Sequence, residues 1–85
     1  MLSKFQKQVY STVKKIPRGK AMSYKQVARA IGKPRAYRAV GNALNRNKDL
    51  QIPCHRVICS NGSIGGYNKG SQKKIKLLIK EGVKL

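Results

Sequence analysis

The sequence predicts a mainly α-helical domain of the winged helix-turn-helix type, with about four helices and a small β-hairpin wing. Two observations lead to this prediction. Several segments show the apolar spacing of amphipathic helices, and capping or terminating residues stand at their ends. A later segment is rich in β-forming residues and precedes Asn61-Gly62, a signal for a type I′ hairpin turn. With 85 residues, the chain is expected to form a single domain over residues 1–85.

The first helix is predicted from about Ser3 to Lys15. Ser3 and Gln6 have the spacing of a capping box at its start. Pro17 and Gly19 would end it. Its buried face is predicted from the helical spacing of Phe5, Val9, Val13 and Ile16.

A second short helix is predicted to start at another capping box, formed by Ser23 and Gln26. Gly32 is suited to its C-terminal cap, and Pro34 prevents the helix from continuing. The predicted buried face consists of Tyr24, Val27, Ala28 and Ile31. This helix and the next, joined by the turn at residues 32–34, have the order of a helix-turn-helix.

The third helix, predicted from about Arg35 to Asn45, would be the recognition helix. Small residues at Ala36, Ala39 and Gly41 would let its backbone approach DNA closely. Small residues also serve ordinary helix packing, so the prediction of DNA binding depends on the nearby arginines. These arginines are Arg35, Arg38 and Arg46.

The C-terminal part is predicted to contain the hairpin and a fourth helix. Residues 56–59 would form one strand, and Ile64 would start the return strand. The last helix would begin near Ser71 and end at Glu81-Gly82. Its buried residues are predicted to be Ile75, Leu78 and Ile79, and its solvent face is predicted to carry Lys73, Lys74, Lys76 and Lys80.

The charge of the chain indicates a polyanionic partner. Twenty Lys and Arg residues oppose two acids, which gives a formal net charge of +18 at pH 7. Nucleic acid fits best, because each neutralised phosphate releases counterions. An anionic membrane is the alternative, but the basic residues are spread from Lys4 to Lys84 and do not form one polybasic block. We expect no membrane partner and no signal peptide, and hence a cytoplasmic protein that is nucleoid-associated, or a nuclear one in a eukaryote.

The segment Pro53-Cys54-His55-Arg56 contains the single histidine of the chain and one of its two cysteines. A thiolate is a nucleophile, and a neighbouring base and cation favour it. The alternative is that Cys54 is a small buried apolar residue. A zinc site formed by Cys54, His55, Cys59 and Asp49 is a poor match, because it lacks a Cys-x-x-Cys pair. We also expect no disulfide in a reducing compartment, and no metal or cofactor.

Several motifs together resemble the O6-alkylguanine-DNA alkyltransferases, also called methylated-DNA–protein-cysteine methyltransferases. The resemblance extends over essentially the whole chain, in matching order and spacing. The motifs are Phe5-Gln6, Ile16-Pro17, Ser23-Tyr24, Arg38-Ala39-Val40-Gly41, Pro53-Cys54-His55-Arg56-Val57, Gly65-Gly66-Tyr67 and Glu81-Gly82. They correspond to the C-terminal catalytic and DNA-binding domain of the family. The N-terminal domain of the family has no counterpart in this sequence.

The resemblance implies a direct-reversal DNA repair protein that acts once. Cys54 would take the alkyl group from guanine O6 as a stable thioether, without a cofactor. His55 would help to form the thiolate through a water molecule, and Glu81 would orient His55. The implied partner is double-stranded DNA containing O6-alkylguanine, bound by a monomer. A separate protein could replace the N-terminal domain.

The resemblance also assigns residues to the base and to DNA. Tyr24 would donate to the flipped base and help protonate the departing guanine, while Arg38 would replace the extruded nucleotide in the duplex. The third helix would enter the minor groove over its small residues, Ala36, Ala39 and Gly41. The base pocket would comprise Tyr24, Val57 through its carbonyl, Tyr67, Asn68 and the hinge residue Asn47. Counted back from Cys54, the hinge loop is one residue short, so Asn45 is a rival for Asn47.

Two other classes of function are alternatives to this one. Non-enzymatic alkyltransferase-like proteins share the domain but replace the acceptor cysteine, so the presence of Cys54 argues against them. A basic architectural or transcriptional DNA-binding protein would need neither the thiol nor His55.

Overall fold

The computed structural model describes residues 2–49, 51–59 and 71–83. Within these ranges it confirms the prediction of a mainly helical domain with four α-helices. The elements in chain order are α1 (Lys4–Lys14), β1 (Met22–Ser23), α2 (Tyr24–Ala30), α3 (Tyr37–Asn45), a 3₁₀ turn (Cys54–Arg56), β2 (Val57–Ile58) and α4 (Ser71–Lys80). In these residues, no helix has the length and apolar content needed to cross a bilayer.

The first two helices begin at the predicted capping boxes. The Ser3 hydroxyl accepts a hydrogen bond from the Gln6 backbone N–H at 3.0 Å, and the Gln6 side chain accepts from the Ser3 N–H at 2.9 Å. Ser23 and Gln26 form the same reciprocal pair at 3.0 and 2.8 Å. These bonds satisfy backbone donors that a helix start leaves without an intrahelical partner. Both predicted helix starts are therefore confirmed.

The turn between α2 and α3 is tight, and α3 starts two residues later than predicted. Gly32 has a φ of +76°, a left-handed conformation that glycine adopts without steric cost. Residues 33–36 then close a turn in which the Ala36 N–H donates to the Lys33 carbonyl at 2.9 Å. Ala36 therefore lies at the N-cap of α3, not inside the helix.

The core lies between α1, α2 and α3. The valines at its centre, Val9, Val13, Val27 and Val40, are fully buried. Tyr10 is also buried, and its hydroxyl donates to the Ala43 carbonyl, which ties α1 to α3. Burying an aliphatic side chain of this size contributes roughly 1.5–3 kcal/mol. This packing fixes the helix-turn-helix against α1.

The strand predicted over residues 56–59 is present in part, but its partner differs from the expectation. β2 pairs in parallel with β1, with Met22 opposite Val57 and Ser23 opposite Ile58. The turn at Asn61-Gly62 and the return strand at Ile64 lie outside the described residues. A local hairpin signal carries no information about a parallel partner far away in the chain. The pairing matters for the site, because β1 leads directly into Tyr24 and β2 directly follows Cys54–Arg56.

The predicted faces of α4 are wrong at two positions. Ile79, predicted to be buried, is 60% exposed, whereas Lys74, predicted to lie on the solvent face, is 0% exposed. Leu78 is buried as predicted. Lys74, Leu78 and Glu81 are spaced four and three residues apart, so they share one face at and just beyond the end of the helix. That face is turned inward because Lys74 and Glu81 both have polar partners in the interior.

Candidate active site and nucleic-acid interface

Cys54 opens the 3₁₀ turn and is 7% exposed. The side-chain amide of Asn47 donates a hydrogen bond to its sulfur at 2.9 Å. A donor aimed at the sulfur stabilises the thiolate more than the thiol. The sulfur is thus held in a nearly dry environment beside a polarising group, which favours a nucleophile over an inert core residue.

Asn47 is held in this orientation by its own loop. Its Nδ2 also donates to the Asp49 carbonyl at 3.0 Å, while its Oδ1 accepts from the Asp49 N–H at 3.0 Å. The carboxylate of Asp49 accepts from the Gln51 N–H at 2.9 Å, which closes the loop further. The loop after α3 therefore places the amide of Asn47, the predicted hinge residue, on Cys54. Asn45, the rival residue, lies at the end of α3 and lines a neighbouring cavity.

His55 and Glu81 meet although they are 26 residues apart in the chain. The imidazole Nε2 lies 3.0 Å from Glu81 Oε2. The same carboxylate binds Arg56, whose Nε donates to Oε1 and whose Nη2 donates to Oε2, each at 2.8 Å. Both oxygens of Glu81 are thereby engaged, and the three side chains are only 11–16% exposed.

The ionised Glu81 carboxylate, held at hydrogen-bond distance from Nε2, determines the tautomer of His55. The hydrogen bond from Arg56 lowers the pKa of Glu81 to about 2, more than burial raises it, and His55 lowers it further. At neutral pH the carboxylate can only accept hydrogen bonds, so His55 Nε2 must carry the proton in this pair. In the neutral ring, Nδ1 is then the basic nitrogen. The arrangement supplies a base of defined orientation next to Cys54 in the chain.

Lys74 is a fully buried cation between α4, β2 and α2. Its ammonium donates to the Val57 carbonyl at 2.6 Å and to the Tyr24 hydroxyl at 3.4 Å, and it lies 5.6 Å from the centre of the Tyr24 ring. Burial lowers the pKa of Lys74 to about 8. The Val57 carbonyl, assigned above to the base, thus already accepts one hydrogen bond, and a carbonyl oxygen can accept a second.

Tyr24 stands at the first position of α2, half-buried beside Gly41 of α3. A Cβ added at Gly41 would lie 3.8 Å from the Tyr24 ring, so a side chain there would fill the space beside the ring. Burial raises the pKa of Tyr24, and charge repulsion from Cys59 and Cys54 in their ionised form raises it further. The phenol therefore keeps its proton at neutral pH and can act as a hydrogen-bond donor. An open cavity of about 260 Å³ adjoins it, lined also by Arg38, Asn45 and Cys59.

The surface of α3 and the turn before it is basic and exposed. The exposed basic residues are Lys33, Arg35, Arg38 and Arg46. Ala39 is exposed beside Arg38, and Ala36 is half-buried at the uncapped N-terminus of the helix. Because the Glu81 carboxylate is engaged with Arg56 and His55, Asp49 is the only acid left to oppose this positive surface. The geometry suits the approach of a phosphate backbone to α3.

Two of the predicted site residues, Tyr67 and Asn68, lie outside the described residues. Cys54 and Cys59 are both thiols. In the described part of the chain, no three His, Cys, Asp or Glu side chains come together as metal ligands. The four candidate zinc ligands considered from the sequence do not form one site, because His55 faces Glu81 and Asp49 closes the Asn47 loop.

Sequence reasoning missed two residues of the site. Lys74 was assigned to the solvent face, and only its spacing from Leu78 and Glu81 could have indicated otherwise. Arg56 was interpreted as a cation that favours the Cys54 thiolate. Its guanidinium instead makes three hydrogen bonds, two with Glu81 and one from Nη1 to the Ile16 carbonyl at 2.8 Å.

Comparison with known proteins places this arrangement in context. Residues 4–83 match the family model described as the DNA-binding domain of 6-O-methylguanine DNA methyltransferase. A methylated-DNA–protein-cysteine methyltransferase of Methanosarcina barkeri is 53% identical over 75 residues, which cover 87% of this chain and 48% of that protein. The chain spans from about a fifth to about a half of the length of the curated relatives it matches.

Solved structures give two further comparisons. OGT of Mycobacterium tuberculosis in complex with DNA superposes with a TM-score of 0.92 at 40% identity, over 96% of this chain and 52% of that one. S. pombe Atl1, in complex with damaged DNA containing O6-carboxymethylguanine, superposes with a TM-score of 0.87 at 34% identity. In that case the match covers 99% of this chain and 81% of Atl1.

Proposed function

This chain belongs to the 6-O-methylguanine DNA methyltransferase family through its DNA-binding domain, and we propose that it repairs O6-alkylguanine in DNA by taking the alkyl group onto Cys54. One observation carries the proposal beyond DNA binding. A buried cysteine that accepts a hydrogen bond from Asn47 precedes a histidine whose ring is held by a carboxylate. A nucleophile, a base and an orienting group in series are what covalent catalysis requires, and mere lesion binding does not need them.

The chemical step follows from the roles of these groups. His55 Nδ1 takes the thiol proton of Cys54 through a water molecule, and the thiolate attacks the alkyl carbon bound to guanine O6. An S–C bond forms as the C–O bond breaks, and the electron pair of that bond remains on the guanine. Glu81 keeps the His55 ring in the tautomer with Nε2 protonated, so that the imidazolium formed is stabilised as it appears.

The leaving guanine needs a proton, which we assign to Tyr24. Its hydroxyl is the donor that stays protonated at neutral pH, and Lys74 holds it by donating to the phenol oxygen. A nearby ammonium stabilises the phenolate that develops when the proton leaves, because opposite charges attract strongly in a buried site. The thioether product has no route back to a thiolate, so each molecule reacts once.

DNA binding would use the basic surface of α3. The alkylated base must leave the stack before the sulfur can approach its O6 substituent in line, so the nucleotide has to be flipped. Arg38 is exposed on α3, and it also lines the cavity that adjoins Tyr24. It is thus placed to fill the gap that the extruded nucleotide leaves in the duplex, with double-stranded DNA as the partner.

The deciding test is incubation with a duplex containing O6-methylguanine, followed by mass spectrometry of the intact protein and its peptides. We expect one methyl group on the peptide that contains Cys54. An unmodified Cys54 in folded, DNA-bound protein would refute the enzymatic proposal.

A non-enzymatic lesion-binding function is the second candidate, favoured by one observation. The match covers 81% of the S. pombe Atl1 chain but only 52% of M. tuberculosis OGT. Against it stands Cys54 itself, since a protein that only binds the lesion has no use for a polarised thiol. The same methyl-transfer experiment separates the two functions.

Replacing Arg38 with Ala should slow repair of a duplex by about tenfold or more, since extruding a base costs a few kcal/mol that the arginine would offset. The repair rate of the same lesion in a single strand should fall less, because a single strand has no duplex stack in which Arg38 must replace the extruded nucleotide. Parallel single-turnover rates on the two substrates provide the measurement. Arg29→Ala, which removes an exposed charge from α2, is the matched control. Equal losses on both substrates would rule out the proposed role.

A further inference from the structure

Arg56 connects three separate parts of the chain at the proposed active site. Its Nε and Nη2 donate to the two oxygens of Glu81, and its Nη1 donates to the carbonyl of Ile16, just after the end of α1. The guanidinium therefore links the 3₁₀ turn that carries Cys54, the end of α4 and the end of α1. It is 84% shielded from solvent, since its side chain is 16% exposed.

Gly19, in the turn after α1, lies close to the backbone of Glu81. This residue has a φ of +88°, and a Cβ there would lie 3.2 Å from the Glu81 carbonyl. The turn after α1 thus packs against the backbone of Glu81, while Arg56 donates hydrogen bonds to its carboxylate. Both contacts restrict the position of Glu81, whose own helix has already ended at Lys80.

The geometry points to Arg56 as a positioning residue of the transfer reaction. Its planar guanidinium fixes the Glu81 carboxylate, and the carboxylate in turn holds His55 with Nε2 as the hydrogen-bond donor and Nδ1 as the general base. This inference depends on the proposed function and adds a residue to it. Glu81 Oε2 accepts from both His55 and Arg56, so a shift of the carboxylate would also move the imidazole. Arg56 itself contacts neither the alkylated guanine nor the sulfur of Cys54 in the proposed reaction.

The fork distinguishes arginine from any other cation at this position. An arginine presents several N–H donors in one plane and matches a carboxylate with two parallel bonds, whereas a lysine offers a single point charge. Lysine at position 56 could neutralise Glu81 but could not hold both oxygens and the Ile16 carbonyl together. The comparison of Arg56→Lys with Arg56→Met therefore separates geometry from charge.

The experiment measures single-turnover methyl transfer, folding and the tautomer of His55 in the parent, Arg56→Lys and Arg56→Met. Because His55 is the only histidine, its two ring nitrogens give one assignable set of ¹⁵N signals. We expect the Nε2–H form in the parent and a mixture of tautomers in both variants. The rates of both variants should fall by about 10- to 100-fold, as expected for a displaced catalytic group. Arg18→Met, an exposed position after α1, is the control and should match the parent.

The outcomes separate this inference from the proposed function. A parent that leaves Cys54 unmodified would refute the function. A parent that transfers the methyl group while Arg56→Lys keeps its full rate would overturn the positioning role, since charge would then suffice. If Arg56→Met does not fold, Arg56→Lys and the tautomer of the parent still decide, and an Nδ1–H ring in the parent would overturn the inference by itself.

Discussion

Cys54→Ser should abolish methyl transfer while duplex binding stays within about threefold of the parent, a change typical of a substitution that disturbs neither charge nor packing. The serine hydroxyl can still accept the hydrogen bond that Asn47 Nδ2 now donates to the sulfur at 2.9 Å. Position 54 is 7% exposed and lies outside the basic surface of α3, so phosphate contacts should persist. The hydroxyl is a much weaker nucleophile than a thiolate unless a strong base activates it.

The measurement combines peptide mass spectrometry with binding to duplexes that contain or lack O6-methylguanine. Cys59→Ser is the matched control, because it removes the other thiol, which is partly buried and lines the cavity beside Tyr24. We expect Cys59→Ser to accept a methyl group at Cys54 like the parent. If transfer persisted in Cys54→Ser and disappeared in Cys59→Ser, the methyl acceptor would be Cys59, and the proposal that Cys54 is the acceptor would be wrong.

The parts of the fold that depend on neighbours in the chain could be predicted from the sequence. The capping boxes at Ser3 and Ser23 bring together residues three positions apart, and both form as expected. Gly32 and Gly82 adopt positive φ angles after α2 and α4, where termination was predicted. Such signals are local because one residue supplies the partner that the adjacent backbone lacks.

Apart from the start of α3, the predictions that failed concern long-range partners. Apolar spacing alone assigned Ile79 to the interior and Lys74 to solvent, because it counts hydrophobic side chains and does not count hydrogen-bond partners. The Val57 carbonyl and the Tyr24 ring provide such partners for Lys74, and neither is near it in the chain. The parallel pairing of β1 with β2 was missed for the same reason.

The site shows the same division. The Cys54-His55-Arg56 sequence could be identified as candidate chemistry, but only the family resemblance indicated that Glu81 would return to His55. The bidentate ion pair between Arg56 and Glu81 was not predicted, because the position of Arg56 next to the Cys54-His55 pair suggested that its guanidinium stabilises the Cys54 thiolate. A charged residue next to a nucleophile can act on a third group, and only the structure shows which one.

Lys74→Met should remove most of the alkaline pH dependence of stability that this buried lysine gives the protein. The pKa of Lys74 is lowered from 10.5 to about 8 in the folded state. Between pH 8 and 10.5 the unfolded chain therefore binds more protons at this position than the folded chain. The free energy of unfolding of the parent should rise with pH through this window, by up to about 3 kcal/mol in total, and should level off above it.

The methionine variant has no group to titrate at position 74, so its free energy of unfolding should lack this rise. Denaturant unfolding from pH 7 to about 9.5 measures both proteins, below the ordinary tyrosine pKa of about 10. The pKa values of Tyr10 and Tyr24 are also raised, so in this range both phenols stay protonated and the difference between the two proteins reports Lys74, although Tyr24 contacts it. Lys73→Met is the matched control, because Lys73 is exposed on the same helix and its removal should leave the rise intact. If Lys74→Met kept the full pH dependence of the parent, the Lys74 ammonium would not be confined to the interior. Its proposed hydrogen bonds to the Tyr24 hydroxyl and the Val57 carbonyl would then be refuted as well.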